Sequence, residues 1–195
     1  MKKIALLTSV AGLVMMTMNT AQAADGTINF TGEVVTTTCK VDTTVAGAAK
    51  DGVKLPNVAN NQLATVGATV GRQAFSLELS GCELATATST APVSKVAVFF
   101  EAGPNVDLVT GMLKPAAASG TGAPTVASGV QIAIVDPSNN ERLKIGSAQS
   151  RFVDIDNKVG GNGRAIMRFA SEYVATGPVT AGRTDTSVTY SLVYQ

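Results

Sequence analysis

Alternation of apolar and polar residues with a period of two runs through most of this chain and limits its possible folds more than any other feature. Successive side chains of a β-strand point to opposite faces, so this period predicts half-buried strands. The run SKVAVFFE is more continuously apolar, as in a buried central strand. Several short strands and no long helical pattern predict an antiparallel sandwich. The alternation is clear in GTINFTGEVV, RQAFSLELSGC, GVQIAIVD, GRAIMRFASEY and TSVTYSLVYQ.

The first residues have the three parts of a secretory signal peptide. Met1-Lys2-Lys3 is a basic head, residues 4–18 are mostly apolar without charge, and Ala21-Gln22-Ala23 is a small-x-small site. The sequence therefore predicts a signal peptide over 1–23, cleaved between Ala23 and Ala24. The alternative is an N-terminal anchor, but the apolar run is short for a membrane span. We expect no membrane span in the mature protein.

Composition excludes several classes of function. The 195-residue chain less its leader suits one domain with its own core. Lys and Arg number 15 and Asp and Glu 14, with two of the lysines in the leader, so nothing indicates a nucleic-acid partner. With no histidine there is no Ser-His-Asp arrangement and no imidazole metal ligand. We predict neither an enzyme nor a cofactor.

One segment, DIDNKVGGNG over residues 154–163, faintly resembles a calcium loop. Its spacing does not fit the EF-hand pattern, and Ala165 stands where the bidentate acid would be needed. Acidic residues just before a glycine-rich stretch are common in solvent-exposed turns. A solvated turn is therefore the favoured interpretation.

Two cysteines, Cys39 and Cys82, lie in the exported part of the chain. An isolated pair in an oxidising compartment is most simply a disulfide. Two free thiols are the alternative.

The two ends of the chain carry strands that lack an obvious partner. In the first, Ile28, Phe30 and Val34 share one side, which Gly32 interrupts. In the last, one face carries Val188, Tyr190, Leu192 and Tyr194. An uncovered apolar edge strand aggregates unless something pairs with it. We therefore expect the first strand of one copy to complete the sheet of the next, in a head-to-tail contact that builds a filament. The alternative is that both termini pair within one chain.

At these residues the chain resembles the chaperone–usher pilins, specifically a major rod subunit similar to the type 1 fimbrial protein. The matching stretches span nearly all of the mature chain: FTGEVVTTTCKVD, LSGCEL, VAVFF, GVQIAIVD and EYVATGPVTAGRTDTSVTYSLVYQ. The resemblance implies a six-stranded immunoglobulin-like sandwich without its last strand. It also implies a structural, adhesion-supporting subunit of a Gram-negative surface fimbria. Its partners would be a periplasmic chaperone, an outer-membrane usher, tip or adaptor pilins and other copies of the chain.

The resemblance also assigns roles to individual residues. Residues 24–36 would be the donor-strand extension and 37–195 the pilin domain. Cys39 and Cys82 would form the family disulfide, and Gly32 would lie at the tightest point of the groove. Tyr194 would belong to a C-terminal strand, at the edge of the groove, that the chaperone holds. The donor residues that enter a neighbour's groove would be Gly26, Ile28, Phe30, Gly32 and Val34.

One stretch departs from the family pattern, the Ala/Gly/Thr-rich segment Ala116 to Ser128. It leaves open which faces meet in a coiled rod.

Three other identities are possible on the sequence. A tip adhesin would need an additional receptor domain, for which we expect no room. A minor adaptor pilin has the same build as a rod subunit. An outer-membrane β-barrel also has alternating strands, but it usually ends on an aromatic residue, whereas this chain ends Tyr194-Gln195.

Overall fold

The computed structural model describes residues 39–42, 52–82, 93–116, 124–156 and 163–195. All of them belong to the compact unit Val35–Gln195. In these ranges the protein is built from antiparallel strands and one short 3-10 helix, Asn60–Leu63. The strands are β1 Lys40–Asp42, β2 Thr69–Cys82, β3 Lys95–Phe100, β4 Val106–Asp107, β5 Met112–Leu113, β6 Val130–Asp136, β7 Glu141–Arg142, β8 Val153–Asp154, β9 Gly163–Ala175 and β10 Tyr190–Tyr194.

Two sheets form the sandwich. The larger has the order β1-β2-β9-β6-β5-β4, with β7 paired to β6, and the smaller has the order β10-β3-β8. Every pairing between these strands is antiparallel. Six strands, namely β1, β2, β3, β6, β9 and β10, have three or more residues, and the other four have two each. This confirms the predicted all-β class of antiparallel, immunoglobulin-like sandwich.

The core lies between the sheets and follows the predicted alternation. Phe75, Leu77 and Leu79 of β2 are buried, and so are Met167, Phe169 and Tyr173 of β9. Phe169 contacts Phe75 and Phe100, with ring centroids 5.4 Å apart in each pair. The apolar face predicted for each long strand is therefore the one that packs inward.

β6 is buried on both faces. Ile132 and Ile134 face the main core, whereas Ala133 and Val135 belong to a second apolar cluster with Met112 of β5. On the second face Glu172 is only 4% exposed and pairs with Arg72 at 2.7 Å and Arg142 at 3.6 Å. A buried carboxylate is costly unless it is paired, and here two arginines from β2 and β7 pair with it. The three residues join three strands across this face.

The two ends of the sandwich, which we call its poles, differ in structure. At one pole a disulfide joins Cys39, just before β1, to Cys82 at the end of β2, as the sequence predicts. We call this the disulfide pole. At the opposite pole β2 and β6 begin and β9 ends, with Val130 opposite Ala175. The last residue also lies at the disulfide pole. The Gln195 main-chain oxygen accepts hydrogen bonds from Ser94 and Lys95, Ile155 donates to the Ser94 carbonyl, and Ile155 and Cys82 both lie against Gly163.

The observed strand ends differ in part from the sequence prediction. β2 begins at Thr69, before the predicted run, and β10 covers only Tyr190–Tyr194. Val188 packs against the core from outside β10. ERLKIG contributes only two strand residues, Glu141 and Arg142. The first predicted strand, GTINFTGEVV, lies outside the described residues, and so does most of the segment Ala116 to Ser128.

Candidate functional site

β10 has a hydrogen-bonded partner on one side. It pairs with β3 in continuous register from Tyr190 opposite Phe100 to Tyr194 opposite Val96. It is the outermost strand of the smaller sheet, and no strand in the described part of the chain pairs with its other edge. Strand edges with free main-chain groups are templates for another strand.

The inner face of β10 is apolar but only half-buried. Tyr190, Leu192 and Tyr194 pack against the main core together with Val188, and all four remain partly exposed. The Tyr190 ring lies 6.5 Å from that of Phe100. Burial raises the pKa of the Tyr194 hydroxyl. The inner face of β10 therefore contacts the core but is less completely buried than the face of a strand in the middle of a sheet.

One outermost strand of the larger sheet, β1, has the same character. It is three residues long, and within the described part of the chain it pairs only with β2. Cys39 and Val41 are half-buried against the same apolar cluster that β10 contacts. Each sheet thus ends in a strand, one near each end of the compact unit Val35–Gln195, whose apolar side chains are incompletely covered.

A cleft of about 250 Å³ opens at the pole opposite the disulfide. In its wall, the Tyr173 hydroxyl and Thr184 Oγ1 are joined by a hydrogen bond of 3.1 Å. Its wall is mostly apolar or uncharged, from four segments of the chain: Asn57, Val58, Asn60, Leu63, Ala127, Val130, Tyr173, Val179, Thr180, Ala181, Gly182 and Thr184.

One side of this cleft is held by hydrogen bonds between segments 125–129 and 176–184. Ser128 bonds Thr180 through its side chain and its main chain. Main-chain bonds also join Ala127 and Arg183 in one direction, and Arg183 and Thr125 in the other. A side chain at Gly129 would collide with the main chain of Pro178, so the two segments approach as closely as glycine allows. This wall of the cleft is therefore preformed.

The predicted site residues divide into two sets. The structure joins Cys39 to Cys82 and places Val188, Tyr190, Leu192 and Tyr194 on one incompletely covered face. Outside the described residues lie the cleavage site Ala23–Ala24 and the five donor residues Gly26, Ile28, Phe30, Gly32 and Val34. The cleft was not predicted, because most of its residues come from separate segments that carry no period, and only Val130 and Tyr173 belong to predicted strands.

Two further observations bear on the site. In the five described ranges, no group of three or more Cys, Asp or Glu residues could hold a metal ion. Within the same ranges, no helix is long and apolar enough to cross a membrane.

Comparison with known proteins agrees with this geometry. The sequence model of the family FimA, Type-1 fimbrial protein, A, matches residues 55–195. The major fimbrial subunit SMF-1 of Stenotrophomonas maltophilia is 36% identical over 177 residues, covering 89% of this chain and 95% of the relative. The F17 fimbrial protein of Escherichia coli is 35% identical over 173 residues, covering 89% of each chain.

Solved structures show the same fold at low sequence identity. The P pilus rod subunit PapA aligns with a TM-score of 0.56 at 16% identity, over 80% of this chain and 99% of that one. A subunit in the structure of a chaperone–usher pilus aligns with a TM-score of 0.55, over 88% and 96%.

An incomplete immunoglobulin-like sandwich of this kind is the fold of pilus subunits. The chain belongs to the type-1 fimbrial protein family, whose members are structural subunits of cell-surface fimbriae.

Proposed function

We propose that this chain is the major rod subunit of a fimbria and that it polymerises head-to-tail by donor-strand exchange. The observation that carries the proposal is the edge of β10, which has one partner among the described strands and a half-buried apolar inner face. A strand supplied by another copy would pair with this edge and cover the face. The contact is head-to-tail and does not close on itself, so repetition gives a filament.

The donor in this proposal is the segment 24–36, exposed once the signal peptide 1–23 is removed, and residues 37–195 are the acceptor domain. Ile28, Phe30 and Val34 would cover the groove next to β10. Gly32 would pass where another backbone comes close, since glycine in a strand often marks such an approach. Gly26 would extend the same side of the strand.

The incomplete sandwich also implies helpers before assembly. An uncovered groove is an aggregation hazard in a concentrated compartment. We infer that a periplasmic chaperone lends a strand to the groove, and that an outer-membrane usher is where the next subunit's extension displaces it. The polymer would then be exposed on the cell surface, joined to tip or adaptor pilins, where it supports adhesion.

A self-complemented chain tests the proposal. In this variant, residues Ala24–Thr36 are deleted from the N-terminus and appended after Gln195 through a short flexible linker. The three apolar donor residues should contribute about 1.5–3 kcal/mol each on burial, which together is comparable to the whole stability of a typical domain. We expect a soluble monomer without chaperone and a steep rise in melting temperature over the chain without a donor.

The control carries Ile28→Asp and Phe30→Asp in the appended strand, which would bury unpaired charges and should lose the gain. A chain without donor that is already a stable monomer would show that the sandwich is complete and overturn the proposal. Abundance of the chain in purified filaments separates a rod subunit from a minor adaptor pilin.

A further inference from the structure

A hydroxyl, a carboxamide and a carboxylate meet beside the turn between β4 and β5. The Thr110 hydroxyl donates to Gln131 Oε1 at 2.8 Å, and Gln131 Nε2 donates to Asp107 Oδ2 at 2.8 Å. Thr110 lies in the turn, Asp107 ends β4, and Gln131 is the second residue of β6. The three side chains therefore form one connected set of hydrogen bonds between the turn and the larger sheet.

The carboxylate determines which end of the Gln131 side chain faces Thr110. An ionised carboxyl group only accepts hydrogen bonds, so the NH2 group faces Asp107 and the carbonyl oxygen faces the hydroxyl. The hydrogen bond from Gln131 lowers the pKa of the Asp107 carboxyl, which keeps that group ionised. The Thr110 hydroxyl is thus directed at a carbonyl group whose nitrogen is bonded to a carboxylate.

Main-chain groups hold these side chains in place. Asp107 Oδ1 accepts hydrogen bonds from the amides of Val109 at 3.0 Å and Thr110 at 3.3 Å. The Met112 amide donates to Thr110 Oγ1 at 3.3 Å, and Gln131 is only 8% exposed. A nucleophile held against its target reacts far faster than the same groups free in solution, because the cost of bringing them together has already been met.

The turn needs a firm attachment to the sheet. β5 pairs with β6 at a single position, Leu113 opposite Ile132, and β4 reaches the sheet only through β5. A covalent bond between Thr110 and Gln131 would fasten the β4–β5 hairpin to β6. It would also close a loop over residues 110–131.

We propose that Thr110 and Gln131 form an ester cross-link between the β4–β5 turn and β6. Thr110 Oγ1 attacks Gln131 Cδ, so that a C–O bond forms, the C–N bond breaks and the amide nitrogen leaves as ammonia. The Asp107 carboxylate accepts the hydroxyl proton and passes it to the departing nitrogen, so it ends ionised as it began. A hydroxyl nucleophile beside a base is the usual arrangement for such acyl transfer. The cross-link does not depend on donor-strand exchange.

The mass of the intact subunit tests the cross-link. The denatured and reduced wild-type chain should be lighter than its sequence requires by one ammonia beyond any leader removed. Thr110→Val keeps the shape of the side chain without the hydroxyl and should have the full mass. Thr110→Ser keeps the hydroxyl, is the matched control, and should lose ammonia as the wild type does.

Chemical cleavage locates the bond, because Met112 lies between Thr110 and Gln131 in the sequence. Cyanogen bromide cuts after methionine and separates the two residues unless the ester joins them. Cys39 and Cys82 both precede Met112, so their disulfide cannot hold these fragments together. We expect the fragments on either side of Met112 to stay joined in the wild type and to separate in Thr110→Val, and fragmentation in the mass spectrometer should assign the link to residues 110 and 131.

The wild-type measurements decide the matter without any variant. A full mass together with fragments that separate overturns the cross-link. An equal loss of ammonia from Thr110→Val and the wild type also overturns it, because the ammonia would then come from another residue. A freshly made wild-type chain of full mass that gains the link on standing supports it.

Discussion

Glycines at a few positions decide how closely main chains can approach in this protein. Gly71 in β2 has φ of +72° at a shift of register between Val70 and Gln73, and a Cβ there would lie 3.0 Å from the Tyr173 ring. Gly129 and Gly182 allow two segments at the pole opposite the disulfide to cross in direct contact. In the proposed donor strand, Gly32 would have the corresponding role between two copies.

Substitution of Gly32 tests that role. We expect Gly32→Asn to abolish polymerisation and leave the fold intact, because a side chain would meet the floor of the neighbour's groove. The variant should still be recovered as a folded subunit with its chaperone, and electron microscopy of cells should show no filaments. Thr31→Asn, on the opposite side of the strand, is the matched control and should assemble. Filaments of ordinary length from Gly32→Asn would contradict the prediction.

A second substitution tests the bulge in β2. Gly71→Ala adds a methyl group against Tyr173 and Val58 in a left-handed conformation, which costs an L-residue about 1–2 kcal/mol before the neighbours shift. We expect a clear fall in melting temperature of the self-complemented chain. Gly103→Ala, where nothing lies within 4 Å of the new atom, should change it little. Equal melting temperatures for Gly71→Ala and Gly103→Ala would show that the bulge in β2 tolerates a side chain at position 71, against the prediction.

Among the strands, β9 connects most of the larger sheet. It pairs with β2 along nearly its whole length and with β6 from Val130 to Val135. On its outer face Glu172 receives Arg72 Nε at 2.8 Å, while Arg72 also donates to Asn140 at 2.6 Å. This ion-pair network lets polar residues lie on a face where Ala133 and Val135 are almost completely buried.

Removing the charge of Glu172, at the centre of this ion-pair network, should weaken the larger sheet. Glu172→Gln keeps the shape of the side chain but leaves two arginines without their counter-ion, and breaking a buried pair in this way costs about 3–5 kcal/mol. Because both arginines are half-exposed, we expect a loss of about 1–3 kcal/mol, the range for an unsatisfied buried partner. Thermal unfolding of the self-complemented chain measures this loss of stability. Glu141→Gln on exposed β7 is the control, and a loss no larger than the control's would exclude a stabilising role for the network.

For the molecule as a whole, the disulfide is the covalent link between the start of the domain and the long β2 strand. It joins residues 43 apart in sequence, at the base of the proposed donor segment. An incomplete sandwich has little stability to spare, since the marginal free energy of unfolding of a complete domain is already small. The bridge therefore matters most before the groove is filled.

Loss of the bridge should lower the amount of subunit. We expect Cys39→Ser to cost about 2–5 kcal/mol and to reduce periplasmic levels through degradation, even with chaperone present. Immunoblots of periplasmic extracts measure this. The double variant Cys39→Ser with Cys82→Ser should behave alike, because either change removes the same bond. Undiminished levels, or a native protein that reacts with a thiol reagent, would argue against a structural bridge.

Much of the fold was predictable because its signals are local. The alternation of Phe75, Leu77 and Leu79, and of Met167, Phe169 and Tyr173, identifies the inward face of two strands without knowledge of their partners. The resemblance at the two ends of the chain named the family correctly. The donor assignments of Ile28, Phe30, Gly32 and Val34 stay predictions, as does the role of β10 as a groove edge.

Other features had no local signal. The two-residue strands β4, β5, β7 and β8 are too short to show a period. Burial of Ala133 and Val135 depends on Met112 from β5, and the Glu172 network joins residues that are up to 100 positions apart. The cleft likewise combines two strand residues, Val130 and Tyr173, with segments whose sequences look like ordinary loops.

The difference between the features that could and could not be predicted from the sequence has a physical cause. Period and leader are properties of neighbouring residues, so the order of amino acids is enough to predict the longer strands, their apolar faces and an export route. Composition alone shows that the chain has no histidine. Strand order, register, the second buried face of β6 and the walls of the cleft depend on contacts between residues far apart in the chain. Those contacts form because packing of the whole sandwich selects one arrangement among many that satisfy each strand separately, and only the folded molecule shows which one it is.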